Sequence, residues 1–192
     1  MLNKRQMQAV ATRKLILEVS KSLIVKYGYN AVSISQICKE CKVAKGTFYI
    51  YFSSKTEIVK EILKDITNEM WEVFSSTKYR NASEMIYNYH KIFMNQIIDN
   101  GLQFTREFLI IIISEAINSR NSLNDHKIKI IEIINSGIKT GEFRNELNVD
   151  EVANEYILAI YSILIDWCTR EKNEIVLKSS MEWIESYINK LK

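Results

Sequence analysis

Side chains that can bind phosphate groups are concentrated in one short segment of the chain, residues 33–55. Lysine ammonium groups attract phosphate, and hydroxyl groups donate hydrogen bonds to phosphate oxygens. The segment supplies both kinds: Lys39, Lys42, Lys45 and Lys55 as cations, and Ser33, Thr47, Tyr49 and Tyr51 as hydroxyls. Gly46 lies among them and lets the backbone approach a neighbouring surface, because it has no Cβ. The pattern predicts contact with a nucleic-acid backbone.

The positive charge of the chain is concentrated in the same N-terminal part. Residues 1–60 hold 11 basic and 3 acidic side chains, a net charge of +8, whereas residues 61–192 hold 15 basic and 20 acidic ones, a net charge of −5. The total over all 192 residues is only +3. An asymmetry of this kind indicates a nucleic acid or an anionic membrane as the partner of the basic end.

Other patterns that could do chemistry are weak. Cys38 and Cys41 have the spacing of a redox or zinc pair, but a zinc site needs four ligands and no second pair accompanies them. We interpret them as small packing residues. His90 and His126 have no nucleophile or metal ligand at motif spacing, and there is no glycine-rich phosphate loop. The sequence therefore predicts that the protein is not an enzyme and binds no metal or cofactor.

The composition favours helices as the elements that position these groups. With no proline and only five glycines, the chain lacks the turn residues of a β-sandwich or barrel. The apolar run over residues 108–113 is far shorter than the roughly 20 residues that span a membrane. Three cysteines and the lack of a secretory signal indicate a reduced protein of the cytoplasm.

Apolar residues recur every three or four positions along nearly the whole chain, which is the period of an amphipathic helix. Thr12 is the predicted N-cap of the first helix and Gly28 its end. Capping boxes at Ser33-x-x-Gln36 and Ser54-x-x-Glu57 predict the starts of a short second helix and a long fourth one. The remaining predicted helices cover about residues 47–51, 82–99, 103–118, 125–140, the segment after Asn148, and 174–191. The fold is therefore predicted to be all-α, with about nine helices.

Three short helices with a tight turn between the second and third form a helix-turn-helix unit, whose third helix enters the major groove of DNA. Residues 12–59 closely resemble the TetR (tetracycline-repressor-like) family of transcription regulators. Many members of that family read G-V-S-K-G-T-x-Y-x-H-F-x-S-K over the turn and third helix. The matching residues here are Gly28-Tyr29, Ile37, Val43-Ala44-Lys45-Gly46-Thr47-Phe48-Tyr49 and Phe52-Ser53-Ser54-Lys55.

The resemblance implies two domains. A helix-turn-helix DNA-binding domain would cover residues 1–56, and a helical ligand-binding and dimerisation domain would cover residues 57–192. The implied function is that of a repressor, which binds a palindromic double-stranded operator as a homodimer and is released by a small, mainly apolar effector. The implied DNA contacts are Ser33, Lys45, Gly46, Thr47, Tyr49, Tyr51 and Lys55, and Phe48 and Phe52 match buried positions that hold the third helix.

This chain departs from the family pattern at three positions. Lys42 replaces the usual glycine of the turn, so it must adopt a positive φ or alter the turn. Ala44 replaces the serine that commonly caps the third helix, which weakens the cap by about 1 kcal/mol. Tyr51 replaces a histidine and can still donate a hydrogen bond to phosphate.

The C-terminal half is rich in large apolar side chains that suit either a ligand cavity or an ordinary core. The candidate ligand-binding residues are Trp71, Tyr89, Phe93, Phe108, Glu115 and Tyr161. The last two helices are apolar enough to suggest a self-complementary interface formed by Tyr156, Ile160, Ile163, Ile184 and Ile188, although these residues would equally suit packing within one chain.

A function of another class is also compatible with the basic N-terminal part. A basic amphipathic helix can bind at an anionic membrane surface, with its lysines on one face opposite large apolar residues. The short helices and the turn over residues 33–52 fit this alternative poorly.

Overall fold

The computed structural model describes residues 3–115, 124–170 and 173–192, apart from the side chains of residues 112, 114, 115, 124 and 173–175. Within these residues the only regular secondary structure is α-helix and there is no strand, which confirms the predicted fold class. The nine helices described are α1 Lys4–Tyr27, α2 Ile34–Cys41, α3 Lys45–Tyr51, α4 Lys55–Ser76, α5 Ala82–Asn100, α6 Leu102–Glu115, α7 Asn124–Lys139, α8 Val149–Arg170 and α9 Asn173–Leu191.

The chain divides into two compact units, which we call the N-terminal unit (Met1–Asn68) and the C-terminal unit (Glu69–Lys192). The N-terminal unit holds α1, α2, α3 and the larger part of α4. The functional boundary expected between residues 56 and 57 falls inside this unit, near the start of α4, and stays a prediction.

Helix α1 begins earlier than the sequence predicted. Its N-cap is Asn3, whose side chain accepts a hydrogen bond from the backbone of Gln6 while the Gln6 side chain binds the backbone of Asn3. Thr12 was expected to be the cap, but it lies inside the helix and its hydroxyl donates to the carbonyl oxygen of Gln8 at 2.9 Å. Seven of the eight residues between are exposed and half of them are charged or amide side chains, so no buried apolar stripe marks them as helical. The helix ends at Gly28, as predicted, with φ of 86°.

The turn between α2 and α3 is built around the lysine that replaces glycine. Ser33 and Gln36 form the predicted capping box at the start of α2. Lys42 ends the helix in the left-handed conformation with φ of 56°, and its N–H bonds to the carbonyl oxygens of Cys38 and Lys39. Ala44 precedes α3 without a side-chain cap. Both departures from the family pattern, Lys42 and Ala44, therefore lie in this turn. Lys42 adopts the left-handed conformation although, unlike glycine, it has a Cβ.

Helix α4 begins with half of the capping box expected there. The backbone N–H of Glu57 donates to Ser54 Oγ at 3.1 Å, as predicted. The carboxylate of Glu57 bonds to the backbone N–H and hydroxyl of Ser53 rather than to the backbone of Ser54. These hydrogen bonds lower the pKa of the Glu57 carboxyl, because they favour its charged form.

Among the described residues, the C-terminal unit has a hydrophobic core built mainly from α5, α7, α8 and α9, with further buried side chains from α4 and α6. Helix α5 contacts α9 and α7, and α8 contacts α7, α9 and α6. The largest fully buried side chains of this core are Trp167, Tyr89 and Tyr156. Outside the core, the Glu142 carboxylate accepts hydrogen bonds from the backbone N–H groups of Ala82 at 2.7 Å and Ser83 at 3.0 Å, so it caps α5 from a distant part of the chain. None of the helices within the described ranges has the length and apolar character needed to cross a membrane.

Candidate nucleic-acid interface

Helix α3 has one face in the core and one face in solvent. Phe48 is completely buried, and Phe52 directly after the helix is almost completely buried. Residues three or four apart share a helix face. The face of α3 opposite Phe48 therefore presents two pairs of residues, each pair four positions apart. All four of those residues are exposed: Lys45 and Tyr49, Gly46 and Ile50.

The buried face of α3 is fixed by aromatic packing and by one arginine. The rings of Phe48 and Phe52 lie 6.0 Å apart, and Tyr49 meets the ring of Phe48 edge-on at 5.4 Å. Arg13 from α1 places its guanidinium 5.2 Å from the centre of the Phe52 ring and bonds to the Glu61 carboxylate of α4 at 2.6 Å. Helices α1, α3 and α4 are thereby held together at one point.

Gly46 is not required by the packing of the free chain. A Cβ placed on it would meet no atom within 4 Å, and its φ is not in the left-handed region. The absence of a side chain therefore leaves the α3 backbone uncovered in the first turn of its solvent face. An uncovered helix backbone can approach a groove more closely than a side chain would allow.

Thr47 and Tyr51 lie at the border of this exposed face. Both are half-buried, and they flank Phe48 and Phe52 in sequence. Ser33, at the start of α2, is exposed, but its hydroxyl already bonds within the chain, accepting from Gln36 N at 3.2 Å and donating to Gln36 Oε1 at 3.1 Å. A contact of Ser33 with DNA would therefore use the helix start as much as the hydroxyl.

Lys55 has partners inside the chain that the sequence did not predict. Its ammonium donates to the carbonyl oxygen of Val32 at 2.7 Å and to that of Tyr29, and it lies 4.1 Å from the centre of the Tyr29 ring. The Tyr29 hydroxyl in turn bonds to Thr56 Oγ1 at 2.8 Å. An ammonium group has three N–H donors, and at least two of them are engaged by the chain itself. The expected phosphate contact of Lys55 stays a prediction.

Cys38 and Cys41 are buried free thiols on the core side of α2. Burial, followed by the neighbouring Cys38 thiol, raises the pKa of Cys41 to about 11. A thiol with a raised pKa is a poor nucleophile and a poor metal ligand, because both roles need the thiolate. Among the described residues there is also no group of three or more histidine, cysteine or acidic side chains placed to hold a metal ion.

The C-terminal unit brings three of the candidate ligand residues into one aromatic group. Trp71 packs on Phe74 at 5.4 Å, and Phe74 meets the ring of Tyr89 edge-on at 5.4 Å. The Tyr89 hydroxyl lies 2.6 Å from His126 Nδ1, and Phe93 lies 5.0 Å from the same imidazole. His126 is thus the polar centre of this group, which the sequence analysis missed because no motif surrounds it.

The other candidate ligand residues are placed differently. Phe108 and Tyr161 are half-buried on α6 and α8, two helices that contact each other. Burial raises the pKa of the Tyr161 hydroxyl above its usual range. The side chain of Glu115 lies outside the described residues.

Four of the five candidate interface residues are buried in the core of their own chain. Tyr156, Ile160, Ile184 and Ile188 all belong to the core of the C-terminal unit, and Ile163 packs partly against it. Helical periodicity had shown that these residues avoid water, but it could not distinguish an internal contact from one with a second copy. The apolar side chains that α8 does expose are Leu158 and Ile165, which lie two turns apart on one face.

The fold and the site define a helix-turn-helix protein with a separate helical C-terminal unit. Residues 16–62 match the family described as bacterial regulatory proteins, tetR family. The chain is 33% identical over 107 residues to YuxN of Bacillus subtilis, which is named as an HTH-type transcriptional regulator, but the match spans 49% of this chain and 37% of that protein. It is 27% identical over 169 residues to the regulator QacR of Staphylococcus aureus, covering 83% of this chain and 76% of QacR. Residues 16–62, the helix-turn-helix part of the chain, therefore match the TetR family.

The curated relatives are matched mostly over a minor part of their length: besides the 37% of YuxN, 23% of the A-factor receptor protein of Streptomyces griseus is covered. Solved structures match along almost the whole chain. A protein of Syntrophomonas wolfei described as a TetR-family transcriptional regulator has a TM-score of 0.80 at 21% identity, over 93% of this chain and 95% of its own. The regulator FadR of Bacillus subtilis, in complex with stearoyl-CoA, has a TM-score of 0.71 at 19% identity, over 91% and 97%. These structures share the fold of both units.

Proposed function

We propose that this protein is a sequence-specific DNA-binding regulator of transcription that acts as a repressor in the cytoplasm and has no enzymatic activity. The observation that carries the proposal is the solvent face of α3, where Lys45, Gly46 and Tyr49 are exposed above the buried ring of Phe48. A helix held rigidly from behind, with one cation and no acidic residue, suits the major groove of DNA. The family match over residues 16–62 supports the same function.

The DNA contacts in this proposal divide into two kinds. Residues on or beside the free face of α3 face the groove, namely Lys45, Gly46, Thr47, Tyr49 and Tyr51. Ser33 at the start of α2 and Lys55 at the start of α4 flank the groove and face the phosphates. Phosphate contacts fix the position of the protein, whereas base contacts determine sequence preference.

Selection of bound sequences from random double-stranded DNA tests the proposal. We expect a palindromic operator, because twofold symmetry in the protein requires twofold symmetry in the DNA. The combined substitutions Lys45→Ala and Tyr49→Phe should then lower operator affinity in a fluorescence-anisotropy titration. Glu182→Ala, at an exposed position on α9, is the control and should leave affinity unchanged. Enrichment of no sequence, together with binding to anionic vesicles, would instead favour the membrane-surface alternative.

The proposed repressor is a homodimer joined through the C-terminal unit. The support is the exposed apolar pair Leu158 and Ile165 on α8, which would leave water in a self-complementary contact. Light scattering at micromolar concentration should give a dimer, and Leu158→Glu combined with Ile165→Glu should give a folded monomer. A wild-type monomer would contradict this part of the proposal.

The proposed effector is a small, mainly apolar molecule bound in the C-terminal unit, the ligand-binding part of the chain. The aromatic group of Trp71, Tyr89 and Phe93 around His126 offers an apolar surface with one polar anchor. Stearoyl-CoA, the ligand of the similar FadR structure, is a suitable first probe. An effector must bind more tightly to the form that cannot bind DNA than to the form that can. It should therefore raise the melting temperature and lower operator affinity. A ligand that raises the melting temperature without releasing DNA would contradict the regulatory role.

A further inference from the structure

Ile50 is the most exposed large apolar side chain in the described part of the chain, with 77% of its surface accessible. Single exposed apolar residues are common on protein surfaces and need no explanation by themselves. Ile50 differs in its position, because it lies on the free face of α3 between two tyrosines, one residue after Tyr49 and four residues after Gly46. Its side chain is not part of the core of the N-terminal unit.

Ile50 and Gly46 together form what we call an apolar step on the surface of α3: an exposed aliphatic side chain beside a position that has no side chain. Helical side chains lean toward the N-terminal end of their helix, over the residue four positions earlier. For Ile50 that residue is Gly46, which has no side chain and leaves open space within 4 Å of where one would begin. The aliphatic side chain therefore projects beside uncovered backbone.

The surroundings of this step identify what it fits. Helix α3 carries one cation and no acidic residue, and residues 1–60 have a net charge of +8, so the partner of this face is a polyanion. On our proposed function, that polyanion is duplex DNA with α3 in its major groove. The base edges in the major groove present hydrogen-bond donors and acceptors, with one exception: the C5-methyl group of thymine.

We propose that Ile50 is a specificity-determining residue that reads one thymine in each half of the operator, by packing its side chain against the thymine methyl group in the space left by Gly46. The inference rests on the proposed function and adds to it a base preference. It also gives Gly46 and Ile50 a joint role, since a side chain at residue 46 would occupy the space that the methyl group enters.

Removal of single methyl groups from the DNA tests this inference. In the selected operator, each thymine of a half-site is replaced in turn by deoxyuridine, which differs only in lacking the methyl group. Binding is measured for the wild type, for Ile50→Ala and for Val10→Ala, a control at an exposed apolar position on α1. At one thymine position, deoxyuridine should weaken wild-type binding about fourfold, the effect of losing one buried methyl group.

The matched variants separate the inference from the proposed function. At that thymine, Ile50→Ala should show no further loss with deoxyuridine, while Val10→Ala should behave as the wild type. Both variants should keep the wild-type melting temperature, because both side chains are exposed. If deoxyuridine had the same effect on the wild type and on Ile50→Ala at every position, the inference would be overturned while DNA binding stood. Failure to select any operator would overturn the proposed function and this inference with it.

Discussion

The ammonium group of Lys55 donates a hydrogen bond to the carbonyl oxygen of Val32 at 2.7 Å, joining the first turn of α4 to the residue before Ser33. The same ammonium binds the carbonyl oxygen of Tyr29, within the loop between α1 and α2. A lysine that the family resemblance assigns to DNA thus also holds the segment from which α2 begins.

This relationship predicts that Lys55→Ala destabilises the free protein. Hydrogen bonds from charged groups contribute roughly 1.5–3 kcal/mol, so urea unfolding should show a loss of about 2 kcal/mol. Lys45→Ala is the matched control, since Lys45 is exposed and should contribute little to stability. Because Lys55 is also proposed to contact a phosphate, Lys55→Ala should in addition lower the slope of log operator affinity against log salt concentration by about 0.9. A lower slope for Lys55→Ala at unchanged stability would mean that Lys55 is chiefly a phosphate contact.

Gly46→Ala should improve folding and impair binding. Alanine reduces the conformational freedom of the unfolded chain, and the site has room for its methyl group, so stability should rise by about 0.5 kcal/mol. Operator affinity should fall by about tenfold, which corresponds to the loss of about 1.4 kcal/mol of contact. The contrasting control is Gly137→Ala, whose Cβ would overlap the ring of Phe143 and should destabilise the protein by about 1–3 kcal/mol. Unchanged DNA binding by Gly46→Ala would mean that α3 does not closely approach the groove.

Lys42→Gly should stabilise the turn of the helix-turn-helix unit. Lys42 is the one residue other than glycine with a positive φ among those described, and a side chain in that conformation costs about 1–2 kcal/mol. Glycine avoids that cost but has a more flexible unfolded state, so the net gain should be about 1 kcal/mol in urea unfolding. Lys39→Gly removes the same charge from within α2 and should lower the free energy of unfolding instead, because glycine is unfavourable inside a helix. A loss of stability in Lys42→Gly would show that the lysine side chain contributes more than its backbone strain costs.

The free energy of unfolding should decrease as the pH is lowered from 6.5 to 4, because of the two histidines. Burial lowers the pKa of His90 and of His126 to about 4, so both stay neutral in the folded protein. The unfolded chain takes up these protons near pH 6.5, and proton binding by the unfolded state alone favours unfolding. The full contribution is present above pH 6.5, and at pH 5 the loss should be about 2 kcal/mol for each histidine. Urea unfolding at pH 7.5 and pH 5 measures this loss, and His90→Gln should make it smaller by roughly half. An equal loss in the variant would exclude His90 as a cause.

Local signals made much of the fold predictable. The end of α1 at Gly28 and the Ser33–Gln36 capping box each depend on a few neighbouring residues, and the structure has both as expected; of the two outcomes open for Lys42, it has the positive φ. The predicted start of α1 is wrong because its first part is exposed and buries no periodic apolar stripe, although Asn3 caps it.

Contacts between distant parts of the chain were not predictable. The bonds of Lys55 span 23 and 26 residues, and the Tyr89–His126 pair spans 37. Similarly, the periodicity of α8 and α9 identified Tyr156 and Ile184 as apolar contacts without telling whether the contact is internal. Ile50 occupies an unspecified position of the family pattern, so the motif itself gives no reason to single it out.

The division of α3 into an anchored face and a free face separates two kinds of mutational change. Phe48 and Phe52 hold the helix from behind, whereas Lys45, Tyr49 and Ile50 are not part of the core. A library randomised at these three exposed positions should therefore yield mostly folded proteins that differ in the DNA they select. The same separation would let the operator preference of such a repressor evolve without compensating substitutions in its core.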